Sequence, residues 1–214
     1  MNKLIKNPII LVGLLLAIAI VLVVASETGK RNTGFDHKAA GLIRDHSPTL
    51  GSDNAKVTIV EFFDPACGTC KAFYPFVKRL MAKNPGKIRL VLRYAAFHEG
   101  SDAVVKLLEA ARLQNKFWET LEAVYESQPI WVSNHKAHIE KLWMLLGGVG
   151  LNLKQAQADM EKPMMVTRLQ QDMADARRLQ VTKTPGFFVN GQPLQQFGYE
   201  PLQRLVESQI SQNY

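Results

Sequence analysis

The stretch Glu61-Phe62-Phe63-Asp64-Pro65-Ala66-Cys67-Gly68-Thr69-Cys70-Lys71 holds the only two cysteines in the 214 residues of the sequence. Just before it, the run VTIV at residues 57–60 is apolar and β-branched, which is typical of a buried strand. After it, apolar residues recur every three or four positions, which predicts a helix. The two cysteines therefore lie where a buried strand ends and a helix begins.

The C-x-x-C spacing predicts a redox-active dithiol. Cys67 falls at the helix N-terminus, where free N–H groups and the helix dipole favour a thiolate; in such motifs the pKa is typically about 3.5–7.5. Cys70, one turn later, is placed to attack a mixed disulfide on Cys67. A zinc site needs two further ligands, for which the sequence offers the distant pair His135 and His138. A purely structural disulfide across so short a loop gains little chain entropy.

The composition predicts a globular domain of about 150–180 residues with an N-terminal appendage. Apolar residues make up 47% of the chain, enough for a buried core. The net charge of +7 is spread along the chain without a basic run or interleaved aromatic residues. This pattern argues against nucleic-acid binding.

Residues 1–25 predict a signal-anchor or transmembrane segment. Lys3 and Lys6 precede an uninterrupted apolar run of 17 residues at positions 9–25. That run reaches the length of a membrane span and is long for a signal peptide, so we favour an uncleaved single-pass anchor. The alternative is cleavage near Ala25 and a soluble periplasmic protein. Either interpretation places the rest of the chain on the extracytoplasmic side of the membrane, where the environment is oxidising.

The pattern after residue 25 divides into a polar spacer at residues 26–54 and a folded domain at residues 55–214. The strand Val57–Phe63, a helix over 67–84 and the strand Ile88–Tyr94 form a unit whose length implies parallel strands. A helical block of about 101–179 follows. A strand at 187–189, an Asn190-Gly191 hairpin turn, a return strand at 193–196 and a helix over 200–212 complete the domain.

Three features together resemble the DsbA-like branch of the thioredoxin-fold disulfide oxidoreductases. They are the Glu61-Phe62-Phe63 run leading into Cys67-Gly68-Thr69-Cys70, the Thr184-Pro185 pair before Gly186-Phe187-Phe188-Val189-Asn190-Gly191, and the helical block between them. The resemblance spans roughly residues 57–210. It implies an α/β thioredoxin-like fold with an inserted helical subdomain.

The resemblance also implies roles for residues around the cysteines. It makes Thr184–Pro185 a cis peptide beside Cys67, the alternative being a trans proline that opens a strand. It makes Glu61 a proton acceptor near the buried cysteine, the alternative being a strand-end glutamate that reaches solvent. With Cys67 and Cys70, these residues form the predicted catalytic set. Asp64 is expected to cap the turn before the helix.

The dipeptide Gly68-Thr69 differs from the Pro-His of the best-known oxidant of the family and from the Gly-Pro of thioredoxin. Thr184 resembles the disulfide isomerases of the superfamily. The direction of electron flow therefore stays open.

The sequence predicts thiol–disulfide exchange with cysteine-containing extracytoplasmic proteins. The Cys67–Cys70 disulfide would serve as the redox centre without a metal or organic cofactor, and a membrane redox partner would reset the dithiol. The alternative function is that of a non-catalytic thioredoxin-fold chaperone or a Cu(I)-binding assembly factor that uses the two thiols.

Overall fold

The computed structural model describes residues 41–214. The anchor or signal segment predicted at residues 1–25 lies outside this range. Within residues 41–214, no helix is both long enough and apolar enough to cross a membrane.

In the described part of the chain, the main sheet has five strands in the order β1-β3-β2-β6-β7, and a separate two-stranded hairpin is formed by β4 and β5. The strands are β1 (Thr49–Gly51), β2 (Val57–Phe63), β3 (Ile88–Tyr94), β4 (Val132–Ser133), β5 (Lys136–Ala137), β6 (Gly186–Val189) and β7 (Gln192–Pro193). Strands β2 and β3 are parallel, as predicted, and the other neighbours are antiparallel.

Helices cover both faces of the main sheet. They are α1 (Gly68–Lys83), α2 (Ser101–Leu113), α3 (Phe117–Glu126), α4 (Gln128–Trp131), α5 (Ile139–Leu142), α6 (Leu153–Met160), α7 (Pro163–Arg178) and α8 (Tyr199–Asn213). The predicted helical block therefore contains α2 to α7, but the β4–β5 hairpin interrupts it.

Strand β2 is buried along its whole length, and its side chains alternate between two cores. Ile59 and Phe63 pack in the larger core, which also contains the two cysteines and the inner face of α1. Val60 and Phe62 pack in a smaller core on the opposite face of the sheet. By this alternation, Glu61 shares the face of Ile59 and Phe63 and points toward the cysteine helix.

At one edge of the main sheet the structure agrees with the sequence prediction, and at the other edge it differs from it. Asn190 and Gly191, both with positive φ, form the two-residue turn between β6 and β7 that the Asn-Gly pair predicts. By contrast, residues 42–51 of the predicted spacer belong to the folded domain. Leu42 is buried in the smaller core, and Thr49 pairs with Val91 at the start of β1. A three-residue strand that ends in glycine carries too little periodicity to be predicted.

Candidate active site

Cys67 is the N-cap residue of α1, with extended backbone angles of φ −77° and ψ 118°. Its carbonyl accepts the Lys71 N–H at 3.1 Å, the first bond of the helix. The preceding turn is held by Asp64, as predicted. The Cys67 N–H donates to the Asp64 backbone oxygen at 3.0 Å, and the Ala66 N–H donates to Asp64 Oδ1 at 2.8 Å. The strand-to-helix turn thus aims the free N–H groups of α1 at the Cys67 sulfur.

Cys67 is only 7% exposed, yet its surroundings favour the thiolate. A hydrogen bond from the Cys70 side chain is the main cause that lowers the pKa of Cys67 to about 5. Burial works in the opposite direction. Hydrogen bonds from the Thr184 side chain and from the backbone N–H groups of Thr69 and Cys70 lower the pKa further. Cys67 is therefore a thiolate at neutral pH.

Cys70 has the opposite character. It is fully buried in the core, and burial raises its pKa well above that of an ordinary thiol. The hydrogen bond to Cys67 raises it further, and so does the charge of Glu61 once that carboxyl group has ionised. One turn of helix thus places a stabilised thiolate next to a thiol that holds its proton. In this structure both cysteines are free thiols.

Glu61 lies behind the cysteine pair and is 1% exposed, so the alternative of a strand-end glutamate that reaches solvent is excluded. Burial, followed by the charge of Cys67, raises the pKa of Glu61 to about 8. Its Oε2 atom has no hydrogen-bond partner among residues 41–214. At neutral pH this side chain is therefore a buried carboxylic acid with a proton to give.

The Thr184–Pro185 peptide bond is cis, as the resemblance implied, and the trans alternative is excluded. The loop that contains it brings the Thr184 carbonyl oxygen to 3.3 Å from Cys67 Sγ, which donates a hydrogen bond to it when it is protonated. Residues 117 positions apart in the chain therefore meet at the reactive sulfur.

A cavity of about 460 Å³ adjoins the cysteine turn. Its lining residues are Ala66, Gly68, His98, Gln128, Pro129, Val132, Ser133, Asn134 and His135. Apart from Gly68 in the cysteine motif and His135 in the alternative zinc site, the sequence indicated no role for these residues. The sequence signal that could have located this region is the Asn134-His135 pair between two short strands. In the structure both residues have positive φ and form the tight turn between β4 and β5.

Metal binding has no support from the described residues. Across residues 41–214, no group of three or more histidine, cysteine or acidic side chains is arranged to hold a metal ion. The alternative zinc site, which needs Cys67, Cys70, His135 and His138 together, is therefore not assembled in this part of the chain.

Comparison with known proteins places this site in a family. The thioredoxin family model matches residues 44–208. The solved structure of a thioredoxin-like oxidoreductase from Silicibacter pomeroyi DSS-3 is 30% identical and superposes with a TM-score of 0.69, over 82% of this chain and 96% of that one. The chain belongs to the thioredoxin family.

Two curated proteins extend the comparison. Disulfide bond formation protein D of Bacillus subtilis (strain 168) is 23% identical over 178 residues, which cover 76% of this chain and 77% of that protein. The Na(+)/H(+) antiporter NhaA of Herminiimonas arsenicoxydans is 29% identical over 144 residues. That match covers 67% of this chain, but the chain spans only 22% of the antiporter.

Proposed function

We propose that this chain exchanges disulfides with cysteine-containing proteins outside the cytoplasm, and that Cys67 and Cys70 are its redox centre. The observation that carries the proposal is the asymmetry of the two thiols. Cys67 has a pKa of about 5, whereas buried Cys70 has a pKa well above its usual range. One sulfur is thus suited to attack and to leave, and the other to hold a proton.

In the oxidising direction, a substrate thiolate attacks Cys67 of the Cys67–Cys70 disulfide. The new bond joins the substrate sulfur to Cys67, and Cys70 leaves with the electron pair of the broken bond. The proton of Glu61, whose pKa is about 8, neutralises the departing Cys70 sulfur. A second substrate thiolate then attacks the substrate sulfur and releases Cys67 as a stable thiolate. The substrate gains a disulfide, and the enzyme becomes a dithiol.

We assign the oxidising direction, which the sequence left open. Stabilising the Cys67 thiolate stabilises the reduced protein, and this makes the disulfide a stronger oxidant. The dipeptide Gly68-Thr69 contains no histidine, but the Thr69 and Cys70 N–H groups and the Cys70 thiol act on the sulfur instead. The disulfide itself is the redox group, without a further cofactor.

Thr184 and Pro185 would form the wall against which the substrate lies. The Thr184 carbonyl already contacts Cys67 Sγ at 3.3 Å. Pro185 has no N–H group, so it presents no competing donor to the sulfur. A substrate strand at this position would pair with the backbone of Thr184 while its own sulfur reacts.

The proposed location is the periplasmic side of the membrane, with residues 9–25 as a single-pass anchor, or in solution after cleavage near Ala25. The name of the Bacillus subtilis relative, a disulfide bond formation protein, supports a role in an oxidising compartment. A membrane redox partner would return the dithiol to the disulfide. A Cu(I) carrier is less favoured, because Cys70 is fully buried.

The test is an exchange assay with the full-length protein and a peptide that contains two cysteines. Cys67→Ser is expected to abolish peptide oxidation. Cys70→Ser, incubated with the disulfide form of the peptide, is expected to accumulate a mixed disulfide: the Cys67 thiolate attacks the peptide disulfide, one peptide sulfur bonds to Cys67 and the other leaves as a thiolate. Because Cys70 is missing and cannot resolve this bond, the adduct is visible as a mass shift that reductant removes. If both variants oxidise the peptide as fast as the unmodified protein, the proposed function is wrong.

A further inference from the structure

We propose that His98 is the general base that takes the proton of the incoming substrate thiol, and that Asp64 holds His98 in the form this step requires. The proposal rests on the function described above. It follows from the hydrogen bonds of Asp64 and from the cavity beside Cys67, neither of which the exchange mechanism has used so far.

The Asp64 carboxylate is fully buried and is surrounded by donors. Oδ1 accepts the Ala66 N–H at 2.8 Å and the Ser101 hydroxyl. Oδ2 accepts the backbone N–H groups of Phe97 at 2.7 Å and His98 at 2.8 Å. His98 Nδ1 lies 2.8 Å from the same oxygen. A carboxylate that accepts so many hydrogen bonds is an acceptor only, so the proton between it and the imidazole belongs to Nδ1.

This arrangement fixes the tautomer of His98. In a neutral imidazole with its hydrogen on Nδ1, Nε2 carries a free lone pair. Because Nδ1 contacts the buried carboxylate, Nε2 is the ring nitrogen that does not face Asp64, and His98 is among the residues that line the cavity. No hydrogen bond to Nε2 occurs within residues 41–214. The side chain is 21% exposed, so a ligand in the cavity can approach it.

The cavity also adjoins the turn that carries Cys67. Ala66 and Gly68, the two chain neighbours of Cys67, line it together with His98. A substrate cysteine that approaches Cys67 from the cavity therefore passes His98. Asp64 would orient His98, and His98 would activate a thiol, as an oriented histidine activates the nucleophile in many enzymes. Here the activated thiol belongs to the substrate and not to the enzyme.

The other charged and titratable groups around His98 leave Asp64 as its dominant partner. The His135 ring lies 6.1 Å from the His98 ring, at an angle of 25°. Glu99, the next residue in the chain, is paired with Lys136 at 2.6 Å, so their charges largely offset each other. The imidazolium that forms during the step is therefore stabilised by the carboxylate behind it.

His98 Nε2 accepts the proton of the substrate S–H group, and the resulting thiolate forms a bond to Cys67 Sγ. The Cys67–Cys70 bond breaks, and its electron pair leaves on Cys70. The substrate sulfur is oxidised and the enzyme disulfide is reduced, with no further reactant. His98 then returns its proton to water through the open cavity.

The size of the effect has a physical ceiling. An ordinary cysteine with a pKa of about 8.5 is roughly 3% thiolate at pH 7, so a base can accelerate its attack at most about thirtyfold. A thiol that is already ionised gains nothing from the base. The effect of His98 must therefore depend on the pKa of the attacking thiol, which no purely structural role predicts.

The experiment compares two reductants of the oxidised full-length protein at pH 7: a cysteine-containing peptide and the aromatic thiolate thionitrobenzoate. His98→Asn keeps an N–H donor at the position of Nδ1 but lacks Nε2. We expect it to slow the peptide about tenfold and to leave the aromatic thiolate within about twofold. His138→Asn, outside the cavity lining, is the matched control and should change neither rate.

Equal slowing of both reductants by His98→Asn, or no slowing of the peptide, would overturn the proposal. The solvent isotope effect of the unmodified protein gives a second test that needs no variant. The peptide reaction should slow in D₂O more than the thionitrobenzoate reaction, and equal slowing would contradict the proposal. If the unmodified protein reacts with neither reductant, the proposed exchange function itself fails.

Discussion

The sulfur of Cys67 lies 3.3 Å from the carbonyl oxygen of Thr184, and the Thr184 side chain is one of the groups that lower the pKa of the thiol. The residue before Pro185 thus acts directly on the nucleophile. The sulfur receives hydrogen bonds from its own helix on one side and from the Thr184 side chain on the other, whereas the Thr184 carbonyl is an acceptor for the protonated thiol.

Thr184→Val tests this contact. The substitution removes the hydroxyl and nearly preserves the volume, so we expect the pKa of Cys67 to rise by about one unit and the disulfide to become less oxidising. The thiolate absorbance near 240 nm, followed against pH, measures the shift. Thr182→Val, at an exposed position of the same loop, is the control. An unchanged titration of Cys67 in Thr184→Val would contradict this role.

Between pH 5 and 8, Glu61 and Cys67 are expected to make the free energy of unfolding of the reduced protein change with pH in opposite directions. The pKa of Glu61 is raised to about 8, so the folded state holds a proton that the unfolded state loses, and stability falls as pH rises. The pKa of Cys67 is lowered to about 5, so the unfolded state holds the extra proton, and stability rises with pH. Each slope approaches 1.4 kcal/mol per pH unit, about one proton, and the two nearly cancel.

Variants that remove one of the two groups should show the pH dependence of stability that the other group causes. Relative to the unmodified reduced protein, Glu61→Gln should gain stability as pH rises from 5 to 8. Cys67→Ser should lose stability over the same range, because burial, the largest cause of the Glu61 shift, remains. Urea unfolding at several pH values in the presence of reductant measures both. Parallel pH profiles for all three proteins would show that these groups do not titrate as described.

Arg93 is fully buried, and its positive charge is paired with two acidic residues of α7. Its guanidinium donates to Asp172 Oδ1 at 2.8 Å and to Asp175 Oδ2 at 2.6 Å. Asp172 also accepts the Tyr94 N–H at 2.8 Å and lies 2.7 Å from His46 Nε2. Asp172→Asn leaves this buried cation partly unpaired, so we expect the free energy of unfolding to fall by about 3–5 kcal/mol.

The matched control for Asp172→Asn is Asp53→Asn. Asp53 is 91% exposed and pairs with Arg89 at 3.4 Å, so its loss should cost less than about 1 kcal/mol. Both values come from denaturant unfolding of the same protein. Similar small losses for the two variants would contradict the importance of the buried network.

Much of this site could be predicted because its signals are local. The strand before Cys67, the helix after it and the Asn190-Gly191 turn each lie within a few residues of sequence. The orientation of Glu61 was also within reach, because it lies two residues from Ile59 and two from Phe63, on the same face of β2.

The parts that could not be predicted depend on contacts between distant residues. The Asp64–His98 pair joins positions 34 apart, and His98 alone gives no signal of its partner. The start of the folded domain before residue 55 could not be predicted for the same reason, because Arg44 is held by Asp175, 131 residues later. Burial of a short polar segment against α7 leaves no periodic pattern in the segment itself.

The reduction potential of the Cys67–Cys70 pair tests the central claim most directly. The full-length protein would be equilibrated in graded glutathione buffers, and the fraction of dithiol measured at each ratio. The stabilised Cys67 thiolate predicts an oxidising couple, near about −120 mV. A value near about −270 mV would contradict the assignment of this chain as a disulfide donor.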